Sequence, residues 1–308
     1  MSPDNLVVSL PGSALLEQLG ELPEHVEFVR WDLTGPAPVD AIDIVVPPYM
    51  DAADKYKWLA GPKIQLVQSQ SIGFDGIEKV LPPDLVFANA SSVHETSTAE
   101  LTLALILASQ RGIPDFVRAS EEGVWKPARY PSLADHTVLL VGYGGVGRAI
   151  EERLIPFETT VVRVARTART DEHGVIHGLD ELSELLPAAD IVVIGVPLSD
   201  DTRHLVDDGF LSLMRDGTLL VNIARGPVVD TAALLKHVAG GRIRAALDVT
   251  DPEPLPDGHP LFGLPNVLIS PHVGGATTAM MPRMARLIRE QIARMQRGDA
   301  PVNVVYRS

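Results

Sequence analysis

The chain has 308 residues, 45% hydrophobic and 21% charged, with 26 basic against 40 acidic residues and no cysteine. That length accommodates two domains, and a formal charge of −14 disfavours nucleic acid or an anionic membrane as the main partner. Without cysteine there are no disulfides, zinc–thiolate sites or thiol catalysis, and no metal is expected; an opening of Met1-Ser2-Pro3-Asp4-Asn5 and no long apolar run lead to the expectation of a cytoplasmic protein.

In chain order, short apolar runs at residues 6–10, 26–29, 42–46, 64–67 and 85–88 read as strands, with helix-compatible stretches at 14–19 and 52–60 between them. Apolar strands alternating with helices indicate a parallel sheet covered on both faces. A long helix is expected from Ser97 to Gln110 or beyond, because Ser97 and Glu100 have capping-box spacing and residues 101–107 are almost continuously apolar. A helix apolar all round is buried, between domains or subunits. A second series of strands follows at 138–141, 161–164, 191–196, 219–223, 243–247 and 267–269, with helices after Gly147 and at 179–186 and 232–238. This fits a complete doubly wound domain. Residues 278–297 form a last amphipathic helix that packs most simply on the first unit.

The most specific signal is Val138-Leu139-Leu140-Val141-Gly142-Tyr143-Gly144-Gly145-Val146-Gly147. A β-branched apolar run enters a G-x-G-x-x-G turn, and a helical pattern leaves it. Gly142 permits the tight turn, Gly144 admits a pyrophosphate to the backbone, and Gly147 allows close helix–strand packing. The amides at the helix start then face the phosphates. A binder of unphosphorylated NAD should carry an acid at the end of the second strand, about 20 residues on, for the ribose 2′-hydroxyl. Here that strand runs into Ala165-Arg166-Thr167-Ala168-Arg169, with no acid between Glu158 and Asp171. Arg166 suits a 2′-phosphate, so NADP(H) is preferred, with NAD(H) also acceptable.

In an open α/β sheet, ligands bind beyond the carboxyl ends of the strands. Those ends carry Val196-Pro197, Ile223-Ala224-Arg225-Gly226, Asp248 through Glu253, and Ser270-Pro271-His272-Val273-Gly274. For a 2-keto acid, Arg225 would grip the carboxylate bidentately. His272 would give a proton to the carbonyl oxygen as hydride arrives at carbon. Glu253 would pair with the histidine ring and fix its orientation, and Asp248 would accept a hydrogen bond from the nicotinamide amide.

These residues resemble the D-isomer-specific 2-hydroxyacid dehydrogenase family over nearly the whole chain. The resemblance is most specific at 142–147, 222–226, 247–254 and 270–277. It implies an α/β fold of two doubly wound parallel-sheet domains: a Rossmann cofactor domain at 99–277 and a discontinuous flavodoxin-like substrate domain at 1–98 and 278–308. It maps the family's catalytic Arg, Glu and His onto Arg225, Glu253 and His272. It places Ile72 and Gly73 amides of Ser71-Ile72-Gly73-Phe74-Asp75 on the substrate carboxylate, Thr98 of Thr98-Ala99-Glu100 near the nicotinamide, and Met50 of the 47–50 loop at the substrate's variable end. The expected cofactor contacts are Thr98, Tyr143, Gly144, Gly145, Val146, Arg166, Thr167, Val196, Pro197, Thr202, Ile223, Ala224, Asp248, His272 and Gly274.

The missing acid at Ala165 is most similar to glyoxylate/hydroxypyruvate reductases that prefer NADP(H). The resemblance also implies a homodimer through the cofactor domain. Two other readings stand beside the reductase: a D-3-phosphoglycerate dehydrogenase-like enzyme, and a dinucleotide-sensing binding protein of the same fold.

Overall fold

The structure is a computed structural model that describes residues 5–21, 24–50 and 53–308. By its internal contacts the chain divides into two compact units, residues 1–94 with 277–308, and residues 95–276. Met1-Ser2-Pro3-Asp4 and Ala52, the first residue of an expected helix, lie outside the described residues.

The first unit opens with strand β1 (Leu6–Leu10), helix α1 (Ser13–Leu19), β2 (Val26–Arg30) and β3 (Ala41–Val45). A 3₁₀ helix at Ala53–Ala60 leads to β4 (Lys63–Gln68), the short α2 (Ile77–Val80) and β5 (Val86–Ala88). The strands pair in parallel in the order β2-β1-β3-β4-β5, the flavodoxin-like order.

The second unit begins with α3 (Glu95–Gln110) and α4 (Ile113–Glu121), then β6 (Thr137–Val141), α5 (Gly145–Leu154) and β7 (Thr160–Val164). A hairpin of β8 (Arg169–Asp171) and β9 (Gly174–His177) follows, then α6 (Leu182–Leu185) and β10 (Ile191–Ile194). The unit closes with α7 (Asp208–Leu213), β11 (Leu219–Asn222), α8 (Thr231–Ala239), β12 (Arg244–Leu247) and β13 (Val267–Ile269). Its eight-stranded sheet has the order β8-β9-β7-β6-β10-β11-β12-β13. The order reverses at β6, so β6 and β10 flank the switch point where a dinucleotide binds. Beyond it the chain supplies α9 (Met280–Arg297) and β14 (Val304–Arg307) to the first unit.

Both sheets are buried on two faces. In the second unit, one core lies under α6, α7 and α8 and the other under α3 and α5. Strands such as Ile191-Val192-Val193-Ile194 are buried at every position, which is why they read as continuous apolar runs rather than alternations. In the first unit α9 buries Met280, Met284, Leu287, Ile288 and Ile292 against α1 and the sheet, one stripe at helical spacing.

Three details depart from the sequence expectations. Both sheets carry an antiparallel edge, β14 on β5 and β8 on β9. Arg169-Thr170-Asp171 has no apolar face to mark a strand, whereas Val304-Val305-Tyr306 has strand-forming residues and its antiparallel partner β5 lies more than 200 residues earlier in the chain. Helix α3 starts at Glu95, so Ser97 sits buried inside its first turn rather than at the N-cap position. Within the single chain Ala104 of α3 is exposed, so the all-round burial expected between domains or subunits is not supplied by this chain alone.

Candidate active site

The glycine turn between β6 and α5 can be tested for fit to a pyrophosphate. A side chain at Gly142, whose φ is +114°, would come within 2.5–2.6 Å of the Gly195 and Val196 backbone. One at Gly147 would meet the Gly142 carbonyl oxygen at 2.6 Å, so helix and strand approach closely only through glycine. At Gly144 a Cβ would meet nothing within 4 Å. That open face adjoins the first turn of α5, where the N-cap residue, Gly144, has no side chain to cap the orphan amides. The residues therefore fit a dinucleotide: Gly144, Gly145 and Val146 offer backbone to an anion at a helix start.

Tyr143, expected among the cofactor contacts, is turned inward. Its N–H donates to the Val164 carbonyl at 3.0 Å, and its carbonyl accepts from Arg169 at 3.2 Å. Its hydroxyl donates to the buried Glu151, which also accepts from Arg163 Nε at 2.6 Å. The Arg163 guanidinium lies 5.6 Å from the Tyr143 ring centroid, a cation–π distance. Burial, then the bond to Glu151, pushes the Tyr143 phenol up to about 12. The phenol thus stays protonated and serves as a donor that Glu151 needs. Each polar group of Tyr143 thus has a protein partner, which ties the turn to β7 and to Glu151.

Arg166 and Thr167, by contrast, are exposed on the turn after β7. The turn is anchored at its start, where Ala165 N–H donates to the His177 carbonyl at 3.0 Å, and at its end, where Arg169 reaches Tyr143.

Three loops at the carboxyl ends of β11, β12 and β13 carry the proposed chemistry. After β11, Asn222 organises the turn: its Oδ1 accepts from Ala224 N–H at 3.1 Å and its Nδ2 donates to the Arg225 carbonyl at 3.1 Å. Ile223 and Ala224 are buried, and Arg225 is half-buried, with its guanidinium donating to the Ala224 carbonyl at 2.7 Å. Gly226 is required here, since a Cβ would sit 1.8 Å from the Thr250 carbonyl oxygen. That close approach brings the Arg225 turn against the loop carrying Glu253.

His272 adopts φ +53°, the left-handed region a histidine enters uncommonly. Its Nδ1 lies 2.5 Å from Glu253 Oε1, so Nδ1–H can donate to the carboxylate, which leaves Nε2 as the ring nitrogen not engaged by that pair. Asp248, 4% exposed, holds the loop: Oδ1 accepts from Ser270 Oγ at 2.7 Å and Val273 N–H at 2.9 Å, and Oδ2 accepts from Gly274 N–H at 2.9 Å. Its carboxylate is thus largely occupied by the His272 loop, where the sequence reading assigned it to the nicotinamide amide. A Cβ at Gly274 would lie 3.5 Å from Thr98, which places Thr98, Asp248 and Gly274 together. Near Val196, the Thr202 hydroxyl donates to the Pro197 carbonyl at 2.7 Å and accepts from Ser199 N–H at 2.8 Å, holding that turn from within.

In the first unit, Ile72 and Gly73 lie on the loop after β4, half-buried. Met50 is 53% exposed with φ +51°. Next to it, Tyr49 stacks on His94 at 5.6 Å between centroids, and His94 Nε2 lies 2.6 Å from the Gln70 carbonyl. Sequence reasoning missed Asn222, Glu151, Arg163 and Asn89. The signal available for the two asparagines was a polar residue ending a buried apolar strand. For the ion pair there was none, because its members meet only across helix and sheet.

Comparison with known proteins adds lineage to this geometry. Residues 103–274 match the family model for the D-isomer specific 2-hydroxyacid dehydrogenase NAD binding domain. A glyoxylate reductase from Thermofilum pendens is 36% identical over 257 residues, covering 80% of this chain and 76% of that protein. A second, from Korarchaeum cryptofilum, is 31% identical over 306 residues, 93% of this chain and 92% of the relative. Among solved structures, an NADPH-dependent glyoxylate/hydroxypyruvate reductase from Sinorhizobium meliloti, crystallised with NADP and malonate, superposes with TM-score 0.80 at 26% identity over 98% of this chain and 97% of its own. The family model spans more than half of the chain and both relatives exceed 30% identity over most of it, so the chain belongs to the D-isomer specific 2-hydroxyacid dehydrogenase family.

Proposed function

We propose that this protein reduces a small 2-keto acid, glyoxylate or hydroxypyruvate, to the corresponding 2-hydroxy acid with NADPH as the preferred cofactor. The observation that carries the reading is the His272–Glu253 pair at 2.5 Å, on a loop that Asp248 holds and beside the Arg225 turn. A nicotinamide dinucleotide held at the Gly142–Gly147 turn would supply the hydride that the keto carbon receives. His272 Nε2 delivers the proton to the oxygen, Glu253 keeps the ring oriented, and Arg225 clamps the carboxylate. The amides of Ile72 and Gly73 are assigned to that carboxylate, and Met50 to the substrate's variable end.

Names of the relatives favour glyoxylate over other keto acids. The NADPH preference is supported by the turn after β7, which has no acid and an exposed Arg166. NADPH is an intracellular reductant, so a cytoplasmic location goes with this reading. Among the described residues no helix is long and apolar enough to cross a membrane.

A homodimer is part of the proposal. Ile113, Phe116 and Val117 form one exposed stripe of α4, continued by Val124 and by Trp125, which is 95% exposed. Solvent is an unfavourable neighbour for so contiguous an apolar surface, and a second copy is the occupant the family resemblance supports.

The test is a panel of 2-keto acids run with NADPH and NADH. Turnover of glyoxylate or hydroxypyruvate, faster with NADPH, is expected; no turnover of any keto acid would overturn the enzyme reading. Arg166→Ala should weaken NADPH about tenfold or more, the size of one charge-assisted hydrogen bond, and leave NADH nearly unchanged. Equal loss for both cofactors would remove Arg166 from the 2′-phosphate.

A further inference from the structure

The reading above assigns the substrate carboxylate to two successive backbone amides, and the first unit contains the device that aims them. Neither Ile72 N–H nor Gly73 N–H donates to a protein acceptor among the described residues. The carbonyls of the same two peptide units are both taken. The Ser71 carbonyl accepts from Ala90 N–H at 2.9 Å, and the Ile72 carbonyl accepts from Asn89 Nδ2 at 2.8 Å. In a planar trans peptide, C=O and N–H point in opposite directions. Holding both carbonyls toward residues 89 and 90 therefore turns both amides away from them, toward one side. Successive amides presented in this way form a backbone cradle for an anion.

Asn89 can do this reliably because its own amide group has only one satisfactory orientation. Oδ1 accepts from Ser91 N–H at 3.2 Å and Ser91 Oγ at 2.9 Å. A backbone N–H can only donate, so flipping the amide would set donor against donor at Ser91 and acceptor against acceptor at Ile72. The main chain of Asn89 is held as well: its N–H donates to the Asn303 carbonyl at 3.0 Å, and its carbonyl accepts from Gln68 Nε2 at 3.0 Å. Gln68 is in turn bonded to Gln291 at 2.7 Å. Asn89, Gln68 and Gln291 are all essentially excluded from solvent. A buried polar network satisfied at each member is rigid, and its rigidity passes to the loop it holds.

We propose that Asn89 is a positioning residue for substrate binding, acting through the Ile72 carbonyl to aim the Gly73 amide at the carboxylate of a 2-keto acid. The proposal rests on the keto-acid reading. It assigns Asn89 to carboxylate affinity and gives it no part in proton or hydride transfer.

Asn89→Asp is the primary test. It keeps the size of the side chain and the acceptor facing Ser91, but sets a second oxygen against the Ile72 carbonyl, so that peptide must turn. KM for glyoxylate and the inhibition constant for oxalate should both rise at least tenfold. At saturating substrate kcat should change less than threefold, and the Kd for NADPH should not move. Ser91→Ala loosens the Asn89 amide without touching the loop or its core. It should raise KM and the oxalate constant two- to fourfold in the same pattern, and it carries the test if Asn89→Asp does not fold. A general packing defect would instead lower kcat and melting temperature and leave the ratio of KM to kcat without this signature. Unchanged KM and oxalate constants in the folded variants, with the wild type active, would overturn the role of Asn89 alone. A wild type that binds NADPH and reduces no 2-keto acid would overturn the functional reading, and this inference with it.

Discussion

Asp248 and His272 are joined through the main chain: the His272 N–H donates to the Asp248 carbonyl at 2.8 Å, while the Asp248 carboxylate collects the amides of Val273 and Gly274. Asp248 thereby holds His272 in its left-handed conformation from both sides of the peptide. A non-glycine residue in that region carries strain on the order of 1 kcal/mol, so it persists only where its surroundings over-determine it. The side chain proposed to transfer the proton is therefore aimed by a buried acid that is bonded to its main chain.

Asp248→Asn should separate this role from contact with the nicotinamide. One oxygen can still serve Ser270 and Val273, but the amide nitrogen then faces Gly274 N–H, donor against donor. We expect kcat to fall about ten- to a hundredfold, with NADPH affinity changed far less. Stopped-flow binding of NADPH beside steady-state kinetics would show it; a loss confined to cofactor affinity would return Asp248 to the nicotinamide.

The pair at the centre of the site should split unequally. His272→Gln removes the proposed proton donor and should lower kcat by about 10²–10⁴, with cofactor binding intact. Glu253→Gln leaves a hydrogen-bonding partner at Nδ1 and loses the charge, so its loss of kcat should be smaller. A variant at 253 more damaged than one at 272 would show that Glu253 meets the reacting atoms itself.

Tyr143 ties the glycine turn to Glu151 with a phenol held at about 12. A group whose folded pKa is raised above its unfolded value, near 10, stabilises the fold fully below that value. The contribution is lost as pH rises through the folded one. Tyr143→Phe removes a donor from a buried carboxylate and should cost about 1.5–3 kcal/mol at neutral pH. Chemical denaturation followed across pH 7 to 12 should show wild type and variant converging only at the alkaline end. A gap that stays constant through that window would mean the phenol is not the stabilising group.

The exposed stripe of α4 predicts oligomeric state. Light scattering should give a dimer for the wild type, and Trp125→Glu with Phe116→Glu should shift it toward monomer by placing charge in a desolvated patch. A wild type that is monomeric at micromolar concentration would remove the interface from this face.

How much of this could be read beforehand follows the range of the interactions. The turn at Gly142–Gly147 was legible because strand, glycines and helix start are consecutive, and each leaves a local mark. Arg225, Glu253 and His272 could be singled out as candidates because parallel strands bring their carboxyl ends to one edge. Strand order was therefore enough to gather residues far apart in sequence. The β8–β9 hairpin was not legible, since Arg169-Thr170-Asp171 alternates no apolar face. The cap at Ser97 was misread because capping-box spacing recurs by chance, and here the helix had already begun at Glu95.

The amino-acid sequence by itself determined the two α/β units, the dinucleotide turn and the residue types available at its edge, since periodicity and glycine placement are properties of neighbouring residues. Only the tertiary structure decided what each of those residues is free to do. It committed Tyr143 to Glu151, Asp248 to the His272 loop and Asn89 to Ile72, through hydrogen bonds between groups that the chain order keeps apart. A buried polar group must find a partner wherever packing places one, and no local pattern encodes which partner that will be.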